Sequence, residues 1–162
     1  MEGCPHQAAL RRGRIDVHRA WYVVTTCVRH REPRLVPDPW RPAAETASPR
    51  VVIDALRWLH TEGRIRCHAY VVMPDHLHVV AELGDGVVLA EAMRTFGSYT
   101  ARGLNRLQGR RGAVWQAGFY DHQIRDDAGH DRQMRYVAHN PVRKGYVARW
   151  DAWPWVAIEP GW

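Results

Sequence analysis

Two histidines stand one residue apart in the stretch MPDHLHVVAEL (residues 73–83), at His76 and His78. Side chains alternate across a β-strand, so both imidazoles fall on one face with their Cα atoms roughly 6.5–7 Å apart. Two rings so placed can chelate one divalent ion. Leu77, Val79, Ala81 and Leu83 point the other way, into a core. Two surface histidines beside a hairpin turn remain the plain structural alternative.

Tyr136 and Asn140, four residues apart in RYVAHNPV, suggest the rest of a site. A helix there carries both on one face, about 6 Å apart along its axis. The Asn140 amide oxygen would complete a His76, His78, Asn140 ligand set with positions left open. Such a mixed nitrogen and oxygen set suits Mg²⁺ or Mn²⁺ used as a Lewis acid, with Tyr136 beside it as nucleophile. Taken singly, Tyr136 also reads as a core aromatic and Asn140 as a helix C-terminal residue. Tyr99 is a competing nucleophile, but position 103 is glycine and offers no carboxamide four residues on. His139 competes with Asn140, and Cys67-His68 raises a zinc alternative far along the hairpin from His76. Glu82 shares the histidine face but lies further along the strand.

The elements that must position these groups follow from pattern and punctuation. AWYVVTTCV (20–28) is rich in β-branched and aromatic residues and predicts a strand. The five prolines of residues 31–49 make a connector, after which Ser48-Pro49 starts a helix carrying Val52, Leu56 and Leu59 inward until Gly63. IRCHAYVVM (65–73) and HLHVVAEL (76–83) form two strands joined by Pro74-Asp75. A helix from Val87 to about Leu107 follows, with Leu89, Met93, Phe96 and Leu104 as core contacts. VWQAGFYDHQIR (114–125) predicts a fourth strand region bent at Gly118. Asp126 or Asp127 then caps a last helix, DAGHDRQMRYVAHN, which Pro141 terminates. The order predicts an α+β fold: a ferredoxin-like four-stranded antiparallel sheet, helices on one face, and a C-terminal helix left over to carry the nucleophile. One domain spanning 1–162 accommodates it.

Charge bears on the class of partner. The net charge is +6, and no acidic residue occurs from Ala92 to Tyr120, where Arg94, Arg102, Arg106, Arg110 and Arg111 fall. A one-sign field of this kind favours a polyanion such as nucleic acid, although a basic face can also serve solubility. Arg102, Arg106 and Arg110 would form one stripe on a helix. With Arg143 and Lys144, the only lysine, they are candidate phosphate contacts. Eight tryptophans and six tyrosines add stacking surfaces, with most of the tryptophans expected in the core. No stretch approaches the roughly 20 apolar residues of a membrane span. The first residues lack a signal-peptide core, and the three scattered cysteines (Cys4, Cys27, Cys67) fit a reducing compartment, so the expectation is cytoplasmic.

The stretches VVMPDHLHVV, WQAGFYDHQIR and RYVAHNPVRKGYV, in that order, resemble the single-tyrosine HUH transposases. These are the insertion-sequence-200-like family and, most closely, its REP-associated tyrosine transposases. The resemblance extends from the first strand to DAWPW. It implies that His76 and His78 bind the metal, that Asn140 is the third ligand, and that Tyr136 is the catalytic tyrosine. It also implies a substrate: single-stranded DNA, in many relatives a hairpin at repetitive extragenic palindromes. Cleavage would leave a 5′-phosphotyrosine link and a free 3′-hydroxyl able to rejoin strands. A DNA-binding protein that recognises a hairpin without cutting is the alternative. Some relatives build the site from two chains and others act as monomers; the nearer resemblance favours a monomer over a homodimer. Tyr120, Asp121, His122 and Arg125 belong to the same matching stretch, with roles left open.

Overall fold

The computed structural model describes residues 19–43 and 46–162. Cys4 and the N-terminal stretch considered above lie outside the described residues. Strands β1 (Trp21–Cys27), β2 (Ile65–Val72), β3 (His76–Leu83), β4 (Tyr120–Ile124) and β5 (Val156–Ile158) form one sheet in the order β4-β1-β3-β2-β5. Every pairing is antiparallel. The four-stranded expectation is therefore corrected to five. β5 has only three residues and no alternating pattern long enough to read; it forms because Val156, Ala157 and Ile158 find the open edge of β2.

Helices α1 (Ala47–Thr61) and α2 (Leu89–Gln108) cover the face to which Leu77 and Val79 point. Val52, Leu56 and Leu59 from α1 meet Phe96 and Leu104 from α2 in a core sealed from water, as the spacing predicted. Met93 is only partly buried. Ser48 is not the cap of α1: it lies inside the helix, where its Oγ accepts a hydrogen bond from Gln108 Nε2 at 3.1 Å. Gly109 ends α2 in the left-handed conformation, φ 61°, donating back to Arg106 and Asn105 carbonyls as C-terminal caps do. Arg110 consequently lies beyond the helix, and the arginine stripe is limited to Arg102 and Arg106.

The predicted fourth strand shrinks to Tyr120–Ile124. Gly118, at φ 81°, turns the chain, and only the isolated bridge between Val28 and Trp115 survives upstream. Of the eight tryptophans, Trp153 and Trp155 are buried, and Trp21, Trp115 and Trp162 are partly buried against the same core, whereas Trp40 and Trp58 are exposed. No described helix is long and apolar enough to cross a membrane.

Helix α3 (Asp127–Ala138) lies on the opposite face of the sheet, across β2, β3 and β5. Asp126 caps it by accepting the Gly129 amide at 2.6 Å. The predicted helix to Asn140 is interrupted. His139 leaves helical geometry and a four-residue helix α4 (Asn140–Arg143) begins, with Pro141 near its start rather than as a stop. Proline has no N–H to give, and it is tolerated in a first turn, where that donor has no intrahelical partner.

Candidate active site

Sheet register explains why the histidine face is polar where it is. His78 pairs with Thr25 on β1 and Val71 on β2, and His76 pairs with Cys27. Thr25 Oγ1 lies 2.7 Å from His78 Nδ1. Asp75, the last residue of the turn, holds His76 Nδ1 at 2.6 Å and is itself held by Arg31 Nε at 2.8 Å. A carboxylate only accepts, so His76 donates from Nδ1, which turns Nε2 away from Asp75. Both Nδ1 atoms are thus occupied, while neither Nε2 bonds to a described residue. The rings stand edge to face with centroids 4.7 Å apart. Orientation of one ring nitrogen by a carboxylate or hydroxyl, with the other left open, is how metal-ligating histidines are held.

The electrostatics favour a neutral His78. Burial drives the His78 pKa down to about 3, helped by the charges of His76, Arg143 and Arg31 against the opposing pull of Asp75. Burial alone would raise the Asp75 carboxyl; the hydrogen bond and charge of His76, with Arg31 and its own backbone, bring it below the ordinary carboxylate value.

Tyr136, in the last turn of α3, sits with its ring 6.2 Å from that of His78 and is 43% exposed. The Arg143 guanidinium stacks 4.2 Å above the tyrosine ring. The fold therefore brings His76, His78, Tyr136 and Arg143 into one cluster, although His76 and His78 lie about sixty residues before the other two. Asn140 is 4% exposed and opens α4, so it does not share a helix with Tyr136 as expected. His139 turns away: its Nδ1 meets the Arg135 carbonyl at 2.9 Å and its ring leans on Trp150. Tyr99 is exposed on α2, across the sheet from the histidine pair.

Among the described residues, no group of three His, Cys, Asp or Glu side chains can hold a metal ion. The chain offers two oriented imidazoles, and Asn140 is buried at the start of α4. Further oxygens would have to come from a substrate and water, which suits a hard divalent ion.

The remaining basic candidates divide between two faces. Arg143 and Lys144 are exposed beside the histidine pair. Arg94, Arg102 and Arg106 are exposed on α2, on the other side of the sheet; Arg94 and Arg102 line a cavity with Trp58 and Tyr99. Arg110 pairs with Glu32 at 2.9 Å, and Arg111 is exposed in the loop after α2. Sequence reasoning did not single out Thr25, Asp75 or Arg31. Asp75 was within reach as the carboxylate adjoining His76, whereas Thr25 depends on strand register, which no local pattern reveals.

Comparison with known proteins identifies the family. The family model described as "Transposase IS200 like" matches residues 16–140. A Haemophilus influenzae protein assigned to the REP-associated tyrosine transposases is 29% identical over 97 residues, covering 54% of this chain and 55% of the relative. A REP-associated tyrosine transposase of Escherichia coli K12 is 30% identical over 90 residues, covering 54% of this chain and 50% of the relative. The chain thus spans about half the length of the curated relatives it matches. A solved REP-associated tyrosine transposase bound to a REP hairpin shares the fold: TM-score 0.69, 21% identity, 88% of this chain and 79% of that one. The chain belongs to the IS200-like transposase family and resembles its REP-associated tyrosine transposases.

Proposed function

We propose that the protein is a metal-dependent single-stranded DNA transesterase that cleaves and rejoins DNA at hairpin-containing repeats. One observation carries this reading: both histidines have Nδ1 engaged and Nε2 open, next to an exposed tyrosine under an arginine. His76 and His78 would hold Mg²⁺ or Mn²⁺, with Asn140 as third ligand. Such an ion, when bound, polarises a phosphoryl oxygen and offsets charge that develops during displacement.

The chain's own residues do the rest. Arg143 presents its charge to the phosphate beside the tyrosine and fixes its approach. The Tyr136 Oη attacks phosphorus and forms the new P–O bond as the P–O3′ bond breaks. The tyrosine proton passes to solvent, and the departing O3′ takes one up. A 5′-phosphotyrosine link and a 3′-hydroxyl result, and reversal with another 3′-hydroxyl rejoins DNA without external energy. Lys144 and the α2 arginines Arg94, Arg102 and Arg106, together with Arg111, would hold backbone phosphates. The hairpin in the solved relative supports a hairpin substrate here as well.

The test is an adduct assay. Labelled hairpin DNA with single-stranded flanks is incubated with protein and Mg²⁺ or Mn²⁺, then resolved under denaturing conditions. The wild type should give a protein–DNA band that is lost on adding a chelator and absent in Tyr136→Phe. A band that persists in Tyr136→Phe would assign the nucleophile elsewhere. Hairpin binding without any band, across many sequences, would favour recognition without cutting.

A further inference from the structure

A second cavity opens directly beside the histidine pair, and the cleavage reading leaves it unused. Its volume is about 320 Å³. His76 and Asp75 form one wall, Pro33, Pro37 and Pro39 of the connector form another, and Lys144 and Tyr146 close the third. Outside the lining but against Tyr146, Trp40 is 66% exposed, the most exposed large hydrophobic residue described. Its ring meets the Tyr146 ring edge-on at 5.0 Å, and its amide donates to Asp38 Oδ1 at 3.2 Å. Lys144 makes no ion pair with a described residue, whereas Arg31, also in the lining, is tied to Asp75 and Cys27.

We infer that this cavity is a nucleotide subsite, taking the single unpaired nucleotide on the leaving-group side of the scissile phosphate. The inference rests on the cleavage reading for the position of that phosphate. Its volume lies at the lower end of the roughly 300–1,000 Å³ of small-molecule sites, room for one nucleotide and not for a duplex. The chemistry of the walls is complementary to such a guest. Proline rings and the Tyr146 ring, backed on one face by Trp153, offer apolar surface to a base, Trp40 stands beside Tyr146 within reach of that guest, and the Lys144 ammonium offers its charge to a phosphate. The prolines also fix φ along the connector, so the wall is held in place before a ligand arrives.

Geometry selects the side of the cut. Tyr136 neighbours His78, His78 neighbours His76, and the cavity begins at His76, with neither His78 nor Tyr136 in its lining. In an in-line displacement the leaving oxygen departs opposite the nucleophile. A phosphate placed over the two imidazoles and attacked from Tyr136 therefore expels its O3′ toward the cavity. The nucleotide held there is the one that ends with the free 3′-hydroxyl. Retention of that end against diffusion is what strand rejoining requires, since the same hydroxyl must return or be exchanged for another.

The test uses the full chain carrying Tyr136→Phe, so that DNA binds without being consumed. Hairpin oligonucleotides with single-stranded flanks carry 2-aminopurine at one flank position at a time. The subsite predicts strong quenching at one position, the nucleotide just 5′ to the cut, and loss of that quenching in Trp40→Ala. In the cutting protein, an abasic residue at that position should slow cleavage about tenfold, the size of one stacked base, and should have no further effect once Trp40 is alanine. Trp40 lies on the surface, so its removal leaves the core intact. Equal quenching along the flank, or quenching unchanged by Trp40→Ala, overturns the subsite. The two readings fail separately. A protein that binds hairpins but never cuts them refutes the transesterase, while position-specific quenching still decides whether the cavity holds a base.

Discussion

One face of the sheet carries imidazoles at both ends, and the two ends treat them in opposite ways. At the His76 end each ring has one nitrogen held, by Asp75 or Thr25, and one left open beside an exposed tyrosine. At the other end His68 occupies a bulge in β2 and is 3% exposed. Its Nδ1 meets Glu159 Oε1 at 2.8 Å, and its ring stacks on Trp21 at 3.6 Å, with His130 stacked on Trp21 at 4.0 Å. The Nε2 of His68 is sealed from water, 3.8 Å from Glu82 and without a hydrogen bond. Nδ1 is taken by Glu159, and the buried Nε2 faces no space that a ligand could enter. What distinguishes a site from a brace is therefore not the number of imidazoles on the face. It is a ring with one nitrogen pinned and the other open to a space that substrate can enter.

The largest effect should come from removing an open nitrogen. His78→Ala should lower the cleavage rate by about 10²–10³-fold, the scale of losing a group that stabilises transition-state charge. Hairpin affinity, measured by gel shift at fixed salt, should change little, because phosphate contacts elsewhere supply it. A parallel loss of binding would show that the pair holds DNA and does no chemistry. Asp75→Asn should do less. It removes the pin and leaves the ligand, so cleavage should fall about 10–100-fold and need more metal for half-maximal rate. An unchanged metal requirement would refute the orienting role of Asp75.

The brace should respond through stability. His68→Ala removes a buried ring stacked on Trp21 and should cost about 2–4 kcal/mol, read as a lower midpoint in urea. Cleavage per folded molecule should stay at the wild-type value. A protein of normal stability that no longer cuts would transfer catalytic importance to the wrong end of the sheet.

The contrast also separates what the sequence could show from what it could not. The alternation in HLHVVAEL put His76 and His78 on one face, and that placement needs nothing beyond local geometry. Tyr136 was legible through its spacing to Asn140 and through family resemblance, and the structure does bring it to His78. The single helix assumed for both was not legible, because Pro141 allowed either a stop or a restart and packing chose the restart. Thr25 meets His78, and His68 meets Glu159, only through strand pairing and a bulge. Such contacts depend on register over fifty residues or more of chain. Which tryptophans stay outside the core, Trp40 and Trp58, was likewise not legible, because hydrophobicity alone does not say which large side chains find partners.

The smallest effect should appear at high pH, and again at the brace end. Burial, with a lesser push from the Glu159 charge, raises the Cys67 thiol to about 12. Burial likewise raises the Tyr70 hydroxyl to about 12, with a further contribution from Cys67 and opposition from Arg57. Both groups are acids that the fold keeps neutral. Their contribution is complete below the unfolded values, about 8.5 for the thiol and about 10 for the phenol. Above those values the unfolded chain releases protons that the folded chain retains, so stability declines up to about pH 12. Urea midpoints should hold steady from pH 7 to 8 and then fall, with the steeper part above pH 10. Tyr70→Phe and Cys67→Ala should each flatten that alkaline limb without altering cleavage at pH 7. If the limb keeps its slope in the double variant, the alkaline loss belongs to other groups. The buried end would then be held by packing and the Glu159 contact, independently of its two neutral acids.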